Sequence, residues 1–180
     1  SRRRITLKML YFWKNAKRAM KKIFWILVLF LVAAQACTRD DICDQNTPTT
    51  PLLIITFQDF ANPENRKNVT DLRVRPVLDT TQTLVAATTD SIAIPLNVNE
   101  DISEFLFTRN ATDTLETNTD RVQFTYNRDN VYVNRACAFR TTFDSINGSR
   151  TADLSNWIIS FQTVTENVDD ITQTHITILH

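Results

Sequence analysis

The chain has 180 residues, with twenty Lys/Arg against twenty Asp/Glu and 43% hydrophobic residues. Its single glycine, Gly148, excludes the glycine-rich loops that cradle phosphates. The zero net charge joins two unlike pieces. Nine bases and no acid stand in residues 1–22, whereas from Cys37 onward eleven bases face twenty acids, net −9. That balance favours solubility and disfavours nucleic acid or anionic headgroups as partners.

In chain order, Met20 to Asp41 reads MKKIFWILVLFLVAAQACTRDD. Two lysines precede twelve apolar residues, Ile23 to Ala34, and the small-x-small run Ala34-Gln35-Ala36 follows. This is the anatomy of a helical signal peptide over residues 20–36. Its apolar helix would cover about 18 Å, short of a hydrocarbon core of about 30 Å. Residues 1–19 are expected to be a non-native or mis-called basic extension upstream of a start at Met20. Met9 is a second candidate start, and a basic arm for nucleic acid or anionic lipid is the rival reading.

Cys37 directly after Ala36 resembles the lipobox of bacterial lipoproteins, whose thiol is acylated and becomes the mature N-terminus. The match rests on Ala36-Cys37, since Ala34 and Gln35 occupy positions where Leu and a small residue are usual. Thr38-Arg39-Asp40-Asp41 is similar to the surface-export tag of Bacteroidota lipoproteins, with Arg39, Asp40 and Asp41 as its charged members. The resemblance implies a membrane partner, reached through the N-terminal lipid. A cleaved, soluble secreted protein is the alternative.

Residues 37–51 then form a polar tether, kept extended by Pro48 and Pro51. From Leu52 the pattern is strand after strand. Leu52–Phe57 is a dense apolar run suited to a strand buried on both faces. Val69–Val77, Thr83–Ala87, Ser91–Leu96 and Ile102–Arg109 are further strands, with Phe105 and Phe107 on one face of the last. Val122, Phe124 and Tyr126 alternate with polar residues; a turn is expected at Asn127-Arg128-Asp129-Asn130, leading into Val131–Val133. Cys137–Phe143 continues the pattern, a turn is expected at Ile146-Asn147-Gly148-Ser149, and a last hairpin joins Trp157–Thr165 to Ile171–Leu179. Short strands at about ten-residue spacing predict an all-β domain over residues 52–180. A single antiparallel β-sandwich, immunoglobulin-like or similar, is expected, with a small barrel as the alternative closure.

With Cys37 assigned to lipid, Cys43 and Cys137 remain, an even pair in an exported chain. A disulfide between them is expected; two unrelated buried thiols are the alternative. Asp40-Asp41-Ile42-Cys43, the run from Thr47 to Phe57, Arg135-Ala-Cys-Ala-Phe139 and the closing Ile-Leu-His resemble an uncharacterised family of Bacteroidota lipoproteins, a domain of unknown function. The similarity spans essentially the whole mature chain. It implies a cell-envelope location, lipid on Cys37 and pairing of Cys43 with Cys137, and supplies no activity.

Chemistry is sparse. His175 and His180 are five apart, on opposite faces of a strand, so they make a poor metal pair. His175 is expected at a polar edge or outer face. Asn99, Glu100, Asp101 and Glu104 lack an EF-hand pattern and read as a solvated acidic loop rather than a Ca²⁺ site. No catalytic set, metal or cofactor is expected. Trp157, Tyr126 and Tyr132 could offer a sugar-stacking face, although Trp157 is expected in the core. Asp79-Thr80, Asp90-Ser91, Asp113-Thr114 and Asp144-Ser145 resemble envelope O-glycosylation sites of Bacteroidota, with Thr80, Ser91, Thr114 and Ser145 as acceptors; chance is the rival in a Thr-rich chain. The reading is a non-catalytic envelope lipoprotein of the outer membrane, with a structural or protein-binding sandwich. A carbohydrate-binding accessory lipoprotein and a small envelope hydrolase are its alternatives, so the soluble partner is an envelope protein or a glycan.

Overall fold

The structure, a computed structural model, describes Trp25, residues 43–44 and residues 46–180. Apart from Trp25, the expected signal peptide lies outside the described residues, as do Cys37 and the Arg39-Asp40-Asp41 run. Among the described residues nine strands follow in order: β1 Leu53–Gln58, β2 Val69–Pro76, β3 Val85–Thr89, β4 Ser91–Ile94, β5 Ile102–Arg109, β6 Asn118–Asn134, β7 Ala138–Arg150, β8 Ser160–Thr163 and β9 Ile176–Leu179. They build a four-stranded sheet in the order β4-β1-β9-β8 and a five-stranded sheet in the order β3-β2-β5-β6-β7. The expected all-β class holds, as two sheets over one core. All pairings are antiparallel except β1 with β9, which run parallel.

The core follows from period-two alternation. In β1, Leu53, Ile55 and Phe57 are fully buried while Ile54 and Gln58 are only partly so. β9 is buried at all four positions, as a central strand covered on both faces should be. The five-stranded sheet contributes Leu72, Val74, Phe105, Phe107, Val122 and Phe124. Rings of Phe105, Phe107, Phe124 and Phe161 meet at centroid distances of 6.1–6.5 Å, in tilted and edge-on contacts. At Asp90, between the expected strands Thr83–Ala87 and Ser91–Leu96, the chain leaves one sheet (β3) for the other (β4).

Two expected turns are absent. Asn127-Arg128-Asp129-Asn130 stays in β6 and pairs with Thr141, Thr142, Phe143 and Asp144, so the hairpin runs on to Asn134. The chain reverses at Arg135-Ala136-Cys137, with Ala138 at φ 57° and the Asn134 Oδ1 accepting from the Cys137 N–H at 2.8 Å. Ile146-Asn147-Gly148-Ser149 likewise stays in β7, its last three residues opposite Gln123–Thr125. Gly148 has no positive φ there. An added Cβ would stand 2.7 Å from Phe161 Cδ1 and 3.2 Å from Phe124 Cε1, so the residue serves close packing rather than turning. The last hairpin is present as β8 and β9, with the longer connection 164–175 between them.

Candidate functional site

Two features stand out from the packed body, a cleft and an arm. The cleft, of about 430 Å³, opens where the β2–β3 and β4–β5 connections meet. Leu84, Leu96, Ile102 and Phe105 give it an apolar lining, with Glu100 and Glu104 among its polar residues. Beneath it Tyr126 is buried, its hydroxyl 2.6 Å from Ser103 Oγ and donating to the Asn97 carbonyl at 2.9 Å. Ser103 Oγ in turn accepts from the Asn97 N–H at 2.7 Å. Burial pushes the Tyr126 phenol above its ordinary value, so it stays protonated and works as a strut. The carboxylates nearby are occupied: Glu104 takes two hydrogen bonds from Arg121, and Asp101 accepts from Arg128 Nε at 2.6 Å. Among the described residues, no group of three or more His, Cys, Asp or Glu could hold a metal ion.

The arm is the far end of the β6–β7 hairpin, residues 129–140; Thr141 and Phe143 at its base are buried. Toward its tip Tyr132 lies directly opposite Phe139, with ring centroids 5.4 Å apart and edge-on. Both remain exposed, at 59% and 63%. Because β7 is an edge strand, its outer groups need cover. Thr50 Oγ1 accepts the Thr141 N–H at 3.1 Å, and Phe143 exchanges two backbone bonds with Val168. The expected tether thus contributes one residue to the arm's free edge. At the turn, Cys137 is disulfide-bonded, and so is Cys43.

The remaining sequence candidates are scattered. Thr80, Thr114 and Ser145 are exposed on separate connections and a bulge, and Ser91 is half-buried in β4. Trp157 is in the core at 4% exposure, and Tyr126 is buried too, so of the three aromatics considered for sugar stacking only Tyr132 is exposed. His175 corrects an expectation, being fully buried. Its Nδ1 accepts the Ile54 N–H at 3.0 Å and its own N–H donates to the Ile54 carbonyl at 3.0 Å, so it opens the parallel β1–β9 ladder. Sequence reasoning also missed Asp120, fully buried, whose two oxygens accept the N–H groups of Trp157 at 3.4 Å and Ile158 at 2.9 Å. Its only signal was a charge at an inward position of the alternation Asp120, Val122, Phe124.

No curated protein and no solved structure matches the chain. A family model matches residues 72–180, from β2 to the last described strand and well over half of the sequence. The chain therefore belongs to the family described as a family of unknown function, DUF6452.

Proposed function

We propose that this protein is a cell-envelope lipoprotein of a Bacteroidota-type outer membrane, held by acyl chains on Cys37 and sorted outward by Arg39-Asp40-Asp41. Its sandwich has a non-catalytic, structural or protein-binding role. The observation that carries the reading is the disulfide bonding of Cys43 and Cys137, six and one hundred residues after the acylated position. Stable disulfides belong to oxidising compartments, which a chain reaches by export. The signal-like run before Cys37 supplies the route.

A binding role is favoured over catalysis by the state of the acids around the cleft, where Glu104 and Asp101 are engaged by arginines. It is favoured over a glycan platform because Tyr132 and Phe139 meet edge-on and present no shared flat face. Intact-mass measurement of envelope-purified protein tests the proposal. The expected species begins at Cys37 with the mass of a diacylglyceryl or triacyl cysteine added; a chain that retains residues 20–36, or starts at Cys37 without lipid, would refute it. The same spectrum reads out glycans at Thr80, Ser91, Thr114 and Ser145, which would add hexose-scale increments.

A further inference from the structure

We infer that the tip of the β6–β7 arm, through Tyr132, Phe139 and Arg135, seats in the headgroup layer of the membrane that holds the acyl chains; this rests on the lipoprotein reading of Cys37. Aromatic side chains exposed side by side on a two-stranded projection have no core to join. Tyr132 and Phe139 are each more than half exposed, and among the described residues their rings stack only on one another. A ring pair with one phenol hydroxyl suits the water–hydrocarbon boundary, where an apolar body and a polar edge are both accommodated.

The covalent chain puts the tip within reach. Cys137 lies at the arm's turn, and Cys43 and Cys137 are both disulfide-bonded. Six peptide units separate Cys37 from Cys43, a reach of about 20 Å when extended. Charge then sets orientation. Residues 130–143 contain Arg135 and Arg140 and no acid, in a chain that is net −9 from Cys37 onward. Arg140 also reaches the Asp169 carbonyl at 3.4 Å, which leaves Arg135 as the cation of the turn itself. Anionic headgroups repel the acidic body and attract the acid-free tip. One aromatic pair is too little to hold a protein on a bilayer, but the anchor makes its insertion intramolecular. Seating therefore requires the acyl chains.

The test uses the acylated protein in vesicles of phosphatidylethanolamine and phosphatidylglycerol, with and without bromine on the lipid chains. Beyond Cys37 the native chain has one tryptophan, Trp157, which is buried and serves as an internal reference. Tyr132→Trp and Phe139→Trp are made separately, so that one failed fold does not end the experiment. In both variants brominated lipid is expected to quench the added emission by roughly twofold or more, with the wild type unchanged. The Cys37→Ser form of either variant should stay unquenched in the supernatant. Acylated variants that float with the vesicles while their emission ignores bromine would overturn the arm proposal and leave the anchor standing. That includes the case where emission shifts blue only as protein concentration rises, which would mean a second copy covers the pair. Failure of the wild type to float would sink both readings.

Discussion

Single buried polar groups set the stability of this fold more sharply than its surface ion pairs do. Asp120 holds the N–H groups of Trp157 and Ile158 inside the core, while Trp157 Nε1 donates to the Phe107 carbonyl at 3.1 Å. Removing the carboxylate leaves two buried donors unpaired, so Asp120→Ala should cost about 2–4 kcal/mol in urea unfolding, and Asp120→Asn less. By contrast Arg66–Asp90, 3.8 Å apart at the surface, should be near-neutral to truncation.

His175 gives a second prediction at this scale, in pH. Burial holds its pKa below the ordinary 6.5, against the pull of Asp169 and Asp170, and burial lowers half-buried His180 as well. The unfolded chain therefore takes up protons near pH 6.5 that the folded chain refuses. Stability is fully present above that pH and falls as the pH drops through it. The urea midpoint should decline between pH 7.5 and 5.5. His175→Asn, whose Oδ1 can accept the Ile54 N–H, should flatten the decline, and an unchanged slope would remove His175 as its source. The depressed carboxyls of Asp59, Asp71, Asp79 and Asp170 act below their ordinary 3.8, outside this window.

Elements divide by whether local pattern or remote contact defines them. β1, β2 and β5 were legible because alternation and dense apolar runs are local signals, and Phe105 and Phe107 fall on the inward face as their spacing requires. Asn127–Asn130 reads as a turn by residue type, yet it stays extended because Thr141–Asp144 pairs across from it, a contact that no window of sequence contains. Gly148 misled in the same way: the residue is needed for the approach of Phe161, not for φ. Gly148→Ala should therefore destabilise by about 1–3 kcal/mol, and Phe161→Leu should offset part of that loss when the two are combined. Additive effects would argue against the contact. The parallel pairing of β9 with β1 joins strands 121 residues apart, and His175 looked like a surface residue for want of that pairing. The arm's aromatic pair was visible as letters, but its exposure follows only from the cross-strand pairing and the fold around it.

For the whole molecule, the covalent plan dominates. With Cys43 and Cys137 paired as expected, the bond would close a loop of about ninety-five residues, so Cys43→Ser should lower stability by up to about 4.6 kcal/mol in the chain-entropy model. Thermal unfolding of the variant at the native midpoint would contradict that. The same variant lengthens the free tether from Cys37 to Thr50, whose hydroxyl caps Thr141, and should loosen the arm from the membrane without releasing the protein. The membrane part of this plan rests on the proposed acyl group on Cys37, which detergent phase separation of envelope extracts reports directly. Wild-type protein should enter the detergent-rich phase and Cys37→Ala should move to the aqueous phase. Equal recovery of both forms with detergent would contradict the proposed anchor.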